Sequence, residues 1–154
     1  MKVCKHPLGT LAFFLFVSSF PAQATSLQEI ATPKTFADWC LNKANLSVET
    51  KRTVDALLQQ AETTNCHQAN KLLSRRTSLD LLDNQISYLR PLSTLTNLAL
   101  LSLFNNKIAD LRPLSTLTNL RQLQLSNNQT LVDKTCPVKP ASICTFVPGQ
   151  VEKK

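Results

Sequence analysis

A 22-residue period limits what this chain can fold into. Leu79, Leu101 and Leu123 stand in phase, as do Leu81, Leu103 and Leu125, and Asn84, Asn106 and Asn128. Between them, the ten residues Leu89 to Leu98 return letter for letter as Leu111 to Leu120. A fixed period in the twenties carrying L-x-x-L-x-L-x-x-N describes one supersecondary unit stacked on copies of itself. One such unit cannot cover its own leucines, so each layer must be closed by the next. The expected fold class is therefore an α/β solenoid of about three coils with parallel strands.

Within a repeat, Leu101-x-Leu103 has a period of two, which puts both leucines on one side of a short strand. Leu100, Ser102 and Phe104 must then point the other way. Pro113 fixes the start of a return segment, Pro-Leu-Ser-Thr-Leu, expected as a helical or 3₁₀ turn. Asn84, Asn106 and Asn128 lie where the chain leaves the strand and must turn. A side-chain amide there can donate to and accept from backbone groups that the turn leaves unpaired. In phase, the three form an expected structural ladder inside the array.

The run from Leu98 to Leu114, Leu-x-x-Leu-x-Leu-x-x-Asn-x-Ile-x-x-Leu-x-Pro-Leu, resembles the leucine-rich repeat family. Within that family it is similar to the short 22-residue type of bacterial internalin-like proteins. The resemblance covers residues 76–131 and departs from the pattern twice. Arg76 stands where Leu98 stands in the next repeat, and Thr130 where Ile86 and Ile108 stand. Both fall at the array ends, where a coil has a neighbour on one side only.

The segments outside the array read as processing and capping elements. Residues 1–24 look like a secretory signal, with Lys2 and Lys5, the apolar stretch Leu11 to Val17, and Ala22-Gln-Ala24 before a cleavage site. That stretch is shorter than the ~20 residues of a spanning helix. Cleavage after Ala24 makes the expected localisation secreted or periplasmic, with no membrane span in the mature chain. It also lowers the net charge from +7 to +5, because two of 17 bases leave against 10 acids. Residues 25–34 then form a linker.

Residues 35–75 read as a helical N-terminal cap. Thr35-Phe-Ala-Asp38 has the form of a capping box. Ser47 is placed to cap a second helix with the stripe Val54, Leu57, Leu58 and Ala61. Asn65 is placed to cap a third carrying Ala69, Leu72 and Leu73. Trp39 and Phe36 are expected as buried anchors. Residues 132–154 form a C-terminal cap and tail, and Gln150 to Lys154 is too short and polar for an anchor.

Once Cys4 is removed with the signal, four cysteines remain, an even number that in an exported chain favours disulfides. Three pairings are open. Cys40 and Cys66 precede the array whereas Cys136 and Cys144 follow it, so the local pairs Cys40–Cys66 and Cys136–Cys144 are favoured as staples of the two ends. The helical cap, the few repeats and this Cys-Pro-rich tail together resemble small secreted bacterial leucine-rich repeat proteins.

Signals of chemistry are weak. His67 is the one mature histidine and lies beside Cys66; Asp80 and Asp83 have no second carboxylate pair to join. With two glycines in the chain, Gly9 and Gly149, there is no phosphate-cradling loop, and no Cys-x-x-Cys suggests a metal. The expectation is no enzyme activity, no cofactor and no metal. Arg90 and Arg112 stand in phase, but an aromatic-interleaved nucleic-acid groove is missing, so nucleic acid is not expected.

The strand side remains as the binding surface. Its columns are Ser78, Leu100 and Gln122; Asp80, Ser102 and Gln124; and Leu82, Phe104 and Ser126. An apolar centre of Leu82, Leu100 and Phe104, with Ser102, Arg121, Gln122 and Gln124 around it, has the make-up of a protein-contact site. The expected function is a secreted, non-catalytic module binding a protein partner through this concave face, with weak self-association open to it. The alternatives are a shortened, vestigial array without a ligand, or a glycan-binding envelope protein.

Overall fold

The structure, a computed structural model, describes residues 32–147. The segment expected as a signal, most of the expected linker and the last residues of the tail lie outside the described residues. Three α-helices, α1 (Phe36–Leu41), α2 (Val48–Gln60) and α3 (Cys66–Leu73), precede four short strands. The strands are β1 (Ser78–Asp80), β2 (Leu100–Ser102), β3 (Gln122–Gln124) and β4 (Cys144–Thr145). They form one parallel sheet in the order β1-β2-β3-β4, so the chain has an α/β repeat fold.

The register follows the repeat. Leu79 pairs with Leu101 and Leu101 with Leu123. The returns are 3₁₀ helices at Arg90–Thr94 and Arg112–Thr116, each with a proline in its first turn, where a missing amide hydrogen costs nothing. Leucines of strands and returns fill one continuous core from Leu79 to Leu125, joined by Ile86 and Ile108. A fully buried leucine is worth about 1.5–3 kcal/mol before conformational entropy is charged. Stacking supplies that burial, and a lone repeat could not.

The helices close the first repeat. Thr35 and Asp38 form the capping box of α1. The Asp38 carboxylate accepts from the amides of Thr35 at 2.8 Å and Lys34 at 2.9 Å. Those backbone bonds, Thr35 first, hold its carboxyl below the usual range. Ser47 caps α2 and Asn65 caps α3 through side-chain oxygens. Phe36, Val54, Leu57, Ala69 and Leu73 are buried, and Trp39 is half-buried against them. Leu72, expected within the apolar stripe of α3, is instead 43% exposed, because Ala69 and Leu73 are the α3 residues turned inward.

Polar side chains tie this helical block to the array. Buried Thr53 donates to the Tyr88 carbonyl at 2.6 Å. Arg76 donates from Nη2 to the Gln60 carbonyl at 2.6 Å. The departure from leucine at position 76 thus becomes a bond to the last residue of α2.

At the other end, β4 extends the sheet. Cys144 pairs with Leu123 at an offset of 144 − 123 = 21 residues, one short of the repeat. The Leu125 amide donates to the Thr145 carbonyl at 2.7 Å. The tail therefore supplies a fourth strand that the leucine pattern did not predict. Disulfides join Cys40 to Cys66 and Cys136 to Cys144 across 26 and 8 residues. Loop entropy makes them worth about 3.5 and about 2.5 kcal/mol.

Candidate functional site

The side of the strands turned away from the leucine core is uneven and largely open. Ser78, Leu100 and Gln122 share one row of the sheet and Asp80, Ser102 and Gln124 the next. Beyond the strands the ladder continues, with the Leu81 amide on the Ser102 carbonyl at 2.9 Å and Asp83 on Phe104 at 3.2 Å. Leu82 and Leu100 are each 44% exposed, unusual for leucines in a molecule with so many buried ones. Phe104, Ser102 and Gln124 are half-buried, and Arg121 and Gln122 are exposed.

One residue expected on this face is elsewhere. Ser126 is buried, with its hydroxyl donating to the Val147 carbonyl. Its partner lies in the tail just past β4, so the exposed row that begins Leu82–Phe104 does not continue at Ser126.

A shallow depression of about 190 Å³ lies at the middle of the face, lined by Asp80, Leu100, Ser102, Gln122 and Gln124 with Ser78 at its edge. Asp80 is held there by its own backbone, since its Oδ1 accepts from the Leu82 amide at 3.2 Å. Among the described residues Asp80 makes no ion pair; those present join Lys43 to Asp55 and Arg112 to Asp110.

The strand exits are fixed by the in-phase asparagines, but not equally. Asn106 donates to the carbonyls of Leu81 (2.8 Å), Leu103 (3.1 Å) and Phe104 (3.1 Å), and accepts from the Ile86 amide at 2.8 Å. Asn128 repeats this with Leu103, Leu125, Ser126 and the Ile108 amide. Each therefore bonds its own repeat and the one before it. Asn84 has no repeat before it, and it is half-buried with a single bond, to the Leu82 carbonyl at 2.8 Å. Its place in the ladder is local only, because the carbonyl and amide it would bridge to do not exist.

A second row escaped the sequence reading. Asp83, Asn105 and Asn127 lie one position before the ladder asparagines, with φ of 59°, 53° and 60°. Asn105 Nδ2 donates to Asp83 Oδ1, and Asn127 Nδ2 to Asn105 Oδ1. Asparagine and aspartate are the non-glycine residues that best tolerate this left-handed backbone. Their 22-residue phase was the available signal.

On the return side Asp110 accepts from Arg112 Nε at 2.9 Å and Nη2 at 2.8 Å, and from its backbone amide at 2.9 Å. The Arg112 guanidinium thereby holds the Asp110 carboxyl below its usual range, with the Arg112 amide second. His67 is exposed in α3. Among the described residues no group of three or more His, Cys, Asp or Glu could hold a metal ion. No helix among them is long and apolar enough to cross a membrane.

No curated protein matches the chain significantly. Residues 96–135, the stretch that contains β2, β3 and the two bridging asparagines, Asn106 and Asn128, match the family model described as Leucine Rich repeats (2 copies), which supports a leucine-rich repeat family for the repeated part of this chain.

Proposed function

We propose that this protein is a secreted, non-catalytic interaction module, a short solenoid that binds a protein partner through its strand face. Leucine-rich repeats generally mediate protein–protein interaction, which favours this class. The observation that carries the reading is the pair of leucines left 44% exposed, Leu100 on β2 and Leu82 in the turn just past β1, where the leucines of the strands' inner side are buried. With half-buried Phe104 they make an apolar centre, and Ser102, Arg121, Gln122 and Gln124 supply a polar surround, the arrangement that protein contacts favour. Two disulfides are compatible with an oxidising compartment, and the signal-like start of the sequence points the same way.

The test places a photo-crosslinking amino acid at position 100 and, as a control, at exposed Ser115 on the return side, in protein expressed and processed in its own host. Crosslinking to a defined protein from position 100, absent from 115 and lost in the Phe104→Asp variant, is the expected result. Equal crosslinking at both positions, or none at either, would sink the strand-face reading. None at either would favour a shortened structural array without a ligand.

A further inference from the structure

The depression at the centre of the strand face has a chemistry of its own. One wall is Leu100; the opposite side carries Asp80 and Ser102, paired in register on adjacent strands, and then Gln124. Adjacent strands stand about 4.8 Å apart, so a carboxylate and a hydroxyl face the opening side by side. Asp80 is the one charged side chain lining the depression, and it is oriented by the Leu82 amide, with its second oxygen making no hydrogen bond among the described residues. The chain as a whole is basic, at +7 in full and +5 without residues 1–24. A general attraction for cations is therefore missing, and a cation can be favoured here only by this local acid.

We propose that the depression is a receptor for one arginine side chain presented by the protein partner, a reading that rests on the strand-face function above. The guanidinium fork offers parallel donors that suit a carboxylate with a second acceptor beside it. Its methylene stem lies along Leu100, as long cationic side chains cover apolar surface while their heads stay polar. The depression, at about 190 Å³, has room for one such side chain. Gln124 closes the far side with an amide carbonyl that can accept a further donor.

Lysine offers a single point of charge without the planar fork, so it is the weaker fit. A citrulline side chain keeps the shape without the charge and is the neutral control. Asp80→Asn keeps the Oδ1 acceptor that orients the side chain and removes only the charge.

The experiment is amide-resolved NMR of the exported, disulfide-intact protein titrated with N-acetyl-arginine methylamide, then with its lysine and citrulline counterparts. The expected result is shifts centred on Asp80, Leu82 and Ser102, weaker by about tenfold or more with citrulline or in Asp80→Asn, as for a charge-assisted pair. The same spectra report whether the variant is folded. Equal shifts from arginine and citrulline, shifts unchanged in Asp80→Asn, or shifts gathered outside the strand face would each overturn the proposal. Concentration-dependent dimerisation abolished by Asp80→Asn, with no response to the arginine probe, would seat a second copy on the face and also overturn it. Crosslinking from position 100 that survives in Asp80→Asn would leave the strand-face function standing while the arginine receptor fell.

Discussion

The two sides of the same strands obey different rules. Toward the core, Leu79, Leu101 and Leu123 are identical, as are Leu81, Leu103 and Leu125, and all six are buried. Toward the open face, the matched positions are Ser78, Leu100 and Gln122, and then Asp80, Ser102 and Gln124. The inner side repeats because each leucine must pack against an equivalent layer, where a lost or added methylene is felt. The outer side touches no neighbouring layer, so stacking places no demand on it. Its variety is where a specific surface can be written.

This contrast can be broken most severely at the buried asparagines. Asn106→Ala leaves the Leu81 carbonyl and the Ile86 amide without their partner, whereas the Leu103 carbonyl keeps Asn128 and the Phe104 carbonyl keeps the Asp83 amide. At about 1–3 kcal/mol for each of two unsatisfied buried groups, the cost is about 2–6 kcal/mol. That is a large share of the stability of an ordinary domain, and chemical denaturation should show a midpoint well below that of the wild type. A wild-type midpoint would refute the bridging role of Asn106.

Leu103→Ala comes next. Position 103 is fully buried at the middle of the array, and a cavity there should cost about 2–5 kcal/mol. A loss below about 1 kcal/mol would mean that the repeats slide to close the gap. Asn84→Ala then sharpens the comparison from within the ladder itself. With one local bond at a half-buried site, the expected cost is about 1 kcal/mol or less. A cost equal to that of Asn106→Ala would show that the shared phase, and not the neighbouring repeat, sets the asparagine's worth.

On the open side, Leu100→Glu should change stability by no more than about 0.5 kcal/mol, as surface substitutions do. It should nevertheless abolish crosslinking from a probe at position 104. A denaturation midpoint that falls as far as in Leu103→Ala would remove the distinction between the two faces.

The smallest effect belongs to the exposed capping box. The Asp38 carboxyl is held below its ordinary value of 3.8 in the folded protein. A depressed carboxylate pKa contributes stability that is complete above the unfolded value and is lost as pH falls through the folded one. Asp38→Asn should therefore shallow the stability decline below about pH 4 while leaving its slope near pH 7 unchanged. An unaltered acid limb would mean that the cap bonds also form in the unfolded chain.

Much of the fold was legible because its cause is periodic. A 22-residue phase set the strand positions, and alternation decided which side of each strand was apolar. Pro91 and Pro113 marked the 3₁₀ returns, and the three helix caps at Thr35, Ser47 and Asn65 were readable from residue type and spacing. The strand-face residues could be listed by the same alternation. The depression around Asp80 could not, since it depends on which side chains of three strands leave space between them.

What the amino-acid order determined by itself, then, is the repeat: its length, its inward leucines and the turn at its asparagines. These follow from local stereochemistry, which is the same wherever the pattern recurs. The tertiary structure alone decided what each copy is worth. Asn84 and Asn106 share residue type and phase, yet one makes a single exposed bond and the other bridges two repeats. Ser126 became buried where the tail just past β4 bonds it, and Arg76 found a carbonyl because α2 ended beside it. A hydrogen bond or a buried surface belongs to two partners, and a periodic sequence specifies the position of one without saying whether the other is there.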